Sequence, residues 1–258
     1  MTVKSLVVIP ARMAASRFPG KPMVKILGTP MIGHILKRSL FSKAADFTYV
    51  ATCDREISDY VQSLGEKSVM TSDTYEREIE RVAEALIKIE SEVSARIDIV
   101  VMVQGDEPMV DPKMIDQLVD GMRQDPTVKV LNLMVKIEND GEFEDPNAVK
   151  VVVGPDFNAI YFSREPIPTA KKGYDGPRYK QLGMIAFNRD FLLRYVQLSP
   201  TPLEIAESVD MMRVIEHGEK VKMLLTDERC LAVDVPQDVI TVETQMRKSD
   251  PWLARYSL

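Results

Sequence analysis

The chain begins with an uninterrupted apolar run, "SLVVIP", rich in β-branched residues and closed by a proline. That is the pattern of a strand buried on both faces. The period then changes. In "MIGHILKRSLFSKA", Ile32, Ile35, Leu36 and Leu40 recur at helical spacing. "FTYVATC" reads as a second strand, "REISDYVQSLG" as a helix stopped by Gly65, and "SVM" as a short third strand. "EREIERVAEALIKIESEV" is a longer helix with Ile79, Val82, Ala83, Leu86 and Ile87 on one stripe, and "IDIVVMVQ" is a fourth strand. Strands alternating with helices predict right-handed βαβ units, hence an α/β fold with a mostly parallel sheet covered on both faces.

Past residue 125 the pattern tightens. "VKVLNLMVKI", "NAVKVVVG", "NAIYFS" and "YKQLGMIAFN" read as closely spaced strands joined by turn-rich segments such as "GPDFN" and "KKGYDGP". They predict a smaller antiparallel extension, as a lobe or as an arm packed on another subunit. "PLEIAESVDMMRVIEHG" reads as one helix ended by Gly218, "KVKMLLT" as a strand and "PQDVITVETQMRK" as a closing helix. With no internal repeat or long linker, residues 1–258 read as a single domain in two parts, about 1–125 and 126–258.

Composition narrows the function classes. The 258 residues are 45% hydrophobic, enough for a sizeable core, and no stretch approaches the ~20 apolar residues of a bilayer span. "MTVKSLVVIPAR" reads as a first strand and not as a signal peptide. Only Cys53 and Cys230 are present, which is no disulfide framework and fits a cytoplasmic protein. A net charge of -6 argues against nucleic acid as the main partner. It also makes the basic loop Arg12, Arg17, Lys21 stand out.

In open parallel sheets, ligands bind beyond the carboxyl ends of the strands, and three polar clusters fall there. The first is the loop after the opening strand, where Gly20 frees the backbone and Arg12, Arg17 and Lys21 supply fixed charge for phosphate oxygens. It is neither a Walker A loop nor a G-x-G-x-x-G turn, and its bland reading is a solvated basic loop. The second is "VMVQGDEPMV", ending a strand in Gln104 and Asp106; the third is "LAVDVPQD", delivering Asp234. Each aspartate could be a turn or capping residue, although Asp234 precedes the proline and Asp238 lies too far inside the helix to cap it. Two strand-end carboxylates suit Mg²⁺, which takes few protein carboxylates and completes its shell with water and phosphate. With a basic loop they form the minimal kit for nucleotidyl transfer.

"IPARMAASRFPGKPMVKILGTPMIGH", "VQGDEPM", "DPNAVKVV", "YFSREPIP" and "AVDVPQDV" resemble, in order and over nearly the whole chain, the 3-deoxy-manno-octulosonate (Kdo) cytidylyltransferases. The resemblance implies a nucleotide-diphospho-sugar transferase fold, a homodimer, Mg²⁺ as cofactor, and attack of a sugar hydroxyl on the α-phosphate of CTP with release of pyrophosphate. It implies Arg12 and Lys21 as catalytic residues. Ala11, Arg12, Arg17, Lys21, Arg81 and Gln104 would bind nucleotide, and Asp106 and Asp234 would bind metal. Gln104, Arg164, Gln181, Ile185, Asp210 and Met211 would bind the acceptor.

The departures cluster. Where the family carries H-x-S-G-T-E-R this chain has "YEREIER", so Tyr75, Arg77, Glu78 and Ile79 replace the His, Ser, Gly and Thr. H-L-G-I-Y becomes "QLGMI", with Gln181 and Ile185 as the changes, and E-Q-L-R becomes "DMMR", giving Asp210 and Met211. Loss of hydrogen-bonding partners on the sugar side predicts an acidic acceptor other than Kdo, such as another deoxy-ketoaldonic acid or a phosphonate. Two further readings stand beside it: the same catalyst with another nucleotide, and a non-catalytic nucleotide-binding homologue. Retention of Arg12, Lys21, Asp106 and Asp234 together speaks against the last. His34 and His217, the fifteen methionines and Cys53 read as structural.

Overall fold

A computed structural model describes residues 3–14, 18–75, 77–169, 171, 173 and 175–256. In chain order the elements are β1 Ser5–Ala11, a 3₁₀ turn at Lys21–Met23, β2 Lys25–Ile26, β3 Thr29–Pro30, α1 Met31–Ser39, β4 Phe47–Thr52 and α2 Arg55–Ser63. β5 Ser68–Met70, α3 Glu78–Val93, β6 Ile99–Met102, α4 Pro112–Gln124, β7 Val130–Lys136, α5 Asp140–Glu144, β8 Lys150–Val153 and β9 Ala159–Ser163 follow. The chain continues through β10 Tyr179–Asn188, α6 Arg189–Tyr195, α7 Pro202–Glu207, α8 Asp210–Glu216, β11 Lys222–Leu225, α9 Pro236–Ser249 and α10 Leu253–Tyr256.

The main sheet runs β11-β7-β10-β6-β1-β4-β5, with β8 added to β10 and β9 to β8. β1 pairs in parallel with both β4 and β6, and β11 with β7, whereas β10 runs antiparallel between β6 and β7. The expected α/β class, mostly parallel with a smaller antiparallel part, is what forms. The later strands do not make a separate lobe: β10 sets Ile185 opposite Met102 of β6, so both parts of the chain share one sheet. Only β8 and β9 project from it as a hairpin.

β1 shows why its sequence is apolar throughout. Leu6 and Val8 enter a core formed with Ile79, Val82 and Leu86 of α3 and Met211 and Val214 of α8. Val7 and Ile9 enter the opposite core, with Ile32, Ile35 and Leu36 of α1 and Met114, Ile115 and Leu118 of α4. A strand between two helical layers has no wet face.

Two helical expectations change. The stretch after "QGDEP" carries α4, which the strand–helix reading above passed over. Its start is marked by Asp111, whose carboxylate accepts the Lys113 N–H at 2.9 Å, and by Pro112 at the first helical position. The expected single helix over 202–218 is two, α7 and α8, broken where Ser208 adopts φ 52°. A non-glycine residue in that left-handed region ends a helix, and the periodicity on either side gives no warning of it.

Candidate active site

The carboxyl ends of β1 and β6 meet under the basic loop. Gly105 makes the approach possible: a Cβ there would lie 2.4 Å from the Pro10 carbonyl oxygen. The loop closes on itself through Gly20, at φ 75°, whose N–H donates to the Met13 carbonyl at 2.9 Å. Asp54, at the N-terminus of α2, accepts the Met13 N–H at 2.8 Å and ties the loop to β4. Ala11 is the last residue of β1, nearly buried opposite Thr52. Arg17 lies outside the described residues.

Lys21 is the hub. Its ammonium donates to Asp106 Oδ2 at 2.8 Å and to the Val233 carbonyl at 2.9 Å. The Val233 N–H in turn donates to the Asp106 carbonyl at 2.9 Å, so the backbones carrying Asp106 and Asp234 lie side by side. Asp238 corrects one expectation. It caps α9 from inside, because its carboxylate accepts the N–H groups of Asp234 at 2.8 Å and Val235 at 3.0 Å. Its carboxylate thus holds the two backbone N–H groups that lead into α9.

The Asp106 Oδ1 atom is buried with no hydrogen-bond partner among the described residues. A hard cation would fill that acceptor, and the aspartate oxygens of Asp106 and Asp234 are the donor type Mg²⁺ takes. No group of three or more His, Cys, Asp or Glu side chains is gathered for a metal among the described residues. The rest of a shell here would come from phosphate and water.

Arg12 Nη1 donates to the Tyr75 carbonyl at 3.2 Å, which sets the basic loop against the "YEREIER" segment. Glu78, the first residue of α3, faces the same space. Its carboxyl is pushed up to about 8, first by burial and then by the Asp106 and Asp210 carboxylates, while Lys21 and Arg12 pull it down. Glu107 accepts the Gly183 N–H on Oε1 at 3.3 Å. Burial, then Asp106, pushes its carboxyl up to about 7. The field here is acidic, with the loop's basic groups set against it.

The expected acceptor residues divide. Gln104 lies on the β10 irregularity, since a Cβ on Gly183 would come within 2.2 Å of Gln104 Oε1. Gln181, at the start of that irregularity, has a buried Oε1 with no partner among the described residues. The strand-end segment carrying Gln104 and Glu107 therefore packs on Gly183, two residues beyond Gln181. Ile185 and Met211 are not opened to a ligand: they are 3% and 0% exposed within the core shared by α3 and α8. Arg164 spends its guanidinium on three carbonyls: Glu207 at 2.7 Å, Pro146 at 2.9 Å and Ser208 at 3.3 Å. Arg81 is 2% exposed and donates to Thr71 Oγ1 and to the Ser72 carbonyl at 3.1 Å, leaving Nη2 buried with no partner among the described residues.

Asp210 carries a partner that the sequence did not suggest. Arg77 Nη1 donates to its Oδ1 and also pairs with Glu204 Oε1 at 2.5 Å. Glu204 is 0% exposed and is gripped by Arg213 through Nε and Nη2, each at 2.7 Å. The Tyr195 hydroxyl donates to the Asp210 carbonyl at 3.2 Å. Burial raises the Asp210 carboxyl, with Arg77 the main opposing influence. Of this network, only the Thr201-Pro-Leu-Glu204 capping pattern was legible in advance, and Glu204 does accept the Thr201 N–H at 3.2 Å.

The cytidylyltransferase family profile matches residues 6–221. The 3-deoxy-manno-octulosonate cytidylyltransferase of Geobacter metallireducens is 34% identical over 257 residues, covering 95% of this chain and 99% of its own. The chain belongs to that family. Another member, the 8-amino-3,8-dideoxy-manno-octulosonate cytidylyltransferase of Shewanella halifaxensis, is 37% identical over 92% of this chain and 96% of its own. The solved structure of a CMP:2-keto-3-deoxy-manno-octonic acid synthetase complexed with CTP superposes with a TM-score of 0.88. It is 36% identical and is covered over 95% of this chain and 99% of its own. The family's N-terminal and strand-end motifs thus lie at the carboxyl ends of the central strands β1 and β6, where Lys21 joins Asp106 and Val233.

Proposed function

We propose that this site couples CTP to an acidic, Kdo-like sugar and releases pyrophosphate. The observation that carries the reading is the Lys21 ammonium. It lies between the Asp106 carboxylate and the Val233 carbonyl, beside Asp234, and so joins segments 85 and 212 residues apart. The solved neighbour that holds CTP supports the choice of nucleotide.

In this reading Arg12 and Lys21 bind the triphosphate, and Lys21 exchanges Asp106 for a phosphate oxygen when nucleotide enters. The acceptor hydroxyl gives up its proton to solvent, its oxygen forms a bond to the α-phosphorus, the bond from that phosphorus to the bridging oxygen breaks, and pyrophosphate leaves. Fixed positive charge around the leaving group lowers the barrier because it needs no reorganisation. Asp106 and Asp234 would hold Mg²⁺, which supplies neutralisation of phosphate charge. Gln104 and Gln181 offer amides to acceptor hydroxyls. Among the described residues no helix is long and apolar enough to cross a membrane, and the reading places a homodimer in the cytoplasm. Exposed Ile160 and Ile205 are apolar surface that a partner could cover.

A second reading keeps the chemistry and changes the acceptor. It is favoured by Ile185 and Met211 closed into the core and by Arg164 bonded to carbonyls. Pyrophosphate release with Mg²⁺, each of the four nucleoside triphosphates and a panel of acidic sugars and phosphonates separates the readings. A kcat/KM with CTP and Kdo of roughly 10⁵ M⁻¹s⁻¹ or above supports Kdo. A far lower value together with efficient use of another acid supports the second. Pyrophosphate release with none of them overturns both.

A further inference from the structure

The segment that departs most from the family pattern touches both sides of the site. At Tyr75 it accepts a hydrogen bond from Arg12 of the phosphate loop. Two residues on, Arg77 reaches Asp210 and Glu204 on α8 and α7. Arg77 is the N-cap residue of α3 and Asp210 is the first residue of α8, so the ion pair fastens two helix N-termini across 133 residues of sequence. In the family pattern these positions carry Ser and Glu. A serine has neither the charge nor the length to make this contact. Two departures that look unrelated in sequence are therefore one feature in space.

We infer that Arg77 and Asp210 act as one specificity-determining unit, in which Arg77 positions α8 and turns the Asp210 carboxylate from a free acceptor of sugar hydroxyl hydrogen bonds into the partner of a fixed cation. This rests on the reading of the site proposed above. Arg77 is a positioning residue. Its guanidinium is anchored on a fully buried carboxylate, Glu204, which Arg213 orients from the other side with a two-pronged grip. One nitrogen, Nη1, contacts both Asp210 and Glu204, so Arg77 sits between α7 and α8 and links them to the segment against Arg12. Its side chain is 31% exposed, so the contact lies at the edge of the site and not sealed in the core. An acceptor approaching α8 meets a neutralised pair where the family pattern offers a carboxylate. The acceptors that suit it have a neutral or apolar group at this position in place of a clustered pair of hydroxyls.

The test is a double-mutant cycle on the full chain with R77S, D210S and the double variant, plus R77K and, independently, K21A. Two readouts are needed. In the ligand-free protein, amide hydrogen exchange over 204–216 reports positioning without any substrate. R77S is expected to speed exchange there at least fivefold, D210S to do the same, and the double variant to match either single within about twofold, as coupled residues do. R77K is expected to restore most of the protection. With Kdo as the acceptor probe, R77S is expected to change KM for Kdo at least tenfold while the CTP Kd by calorimetry stays within threefold. Unchanged exchange in R77S, or single effects that multiply in the double variant, would overturn the unit. Equal effects on CTP Kd and Kdo KM would overturn its role in specificity. If K21A leaves CTP binding unaltered, the phosphate-site reading fails, while the exchange cycle still decides the Arg77–Asp210 unit.

Discussion

The Arg213–Glu204 pair offers the sharpest test of how the acceptor side is held. Both side chains are buried, at 3% and 0% exposure, and the two carboxylate oxygens each take one guanidinium nitrogen at 2.7 Å. Arg213 also donates to the Leu198 carbonyl at 3.3 Å and lies 4.8 Å from the Tyr195 ring centre. Arg213→Met keeps the stem and removes the charge. It leaves Glu204 desolvated, with Arg77 as its remaining cation. Removing one partner of a buried pair costs about 3–5 kcal/mol, because the other charge stays buried without compensation. The surviving Arg77 contact puts the expected loss at the low end, about 3 kcal/mol, which for a chain of this size is a Tm drop of about 6–12 °C. Urea denaturation followed by circular dichroism measures it. The double variant Glu204→Leu with Arg213→Met removes both charges, and an apolar replacement of a buried pair is often neutral. It is expected to recover most of the loss. A single variant within about 1 kcal/mol of the parent, or a double variant as unstable as the single, would falsify the view of α7 and α8 as held by a desolvated charge pair.

Three further outcomes follow from particular contacts. Lys21→Ala should weaken CTP binding at least tenfold in calorimetry without changing Tm by more than a few degrees; unaltered affinity would remove the loop from the nucleotide site. Gly105→Ala drives a Cβ to within 2.4 Å of the Pro10 carbonyl. It should cost about 1–3 kcal/mol, as overpacking does, and lower pyrophosphate release; a fully stable, fully active variant would show that β1 and β6 need not meet so closely. His34 is fully buried, between the Ile26 carbonyl at 2.8 Å and the Tyr256 hydroxyl at 2.9 Å, and burial lowers its pKa below 6.5. The unfolded chain binds that proton more readily, so stability should fall as pH drops below about 6.5. His34→Gln should flatten the profile below that pH, and an equally steep one would move the cause elsewhere.

The alternation of strands and helices could be read from the chain because burial imposes a local period, two in strands and 3.6 in helices, on every element that packs. α4 carries its signal equally plainly, in Asp111, Pro112 and an apolar stripe of Met114, Ile115, Leu118 and Met122. The motifs around Lys21, Asp106 and Asp234 could be placed at strand ends, because a parallel α/β sheet gathers its ligand groups there. The break at Ser208 was hidden, since no glycine or proline interrupts the apolar spacing across it. The partners of Asp210, Glu204 and Arg164, and the closure of Ile185 and Met211 into the core, were also hidden. Each depends on which face of one element meets which face of another, over separations as large as 133 residues. Local pattern decides that a residue is in a helix and whether it faces the core. Only the packing of α3, α7 and α8 around the sheet decides which charge it meets there, because a salt bridge needs two side chains within a few ångströms and sequence distance carries no such information.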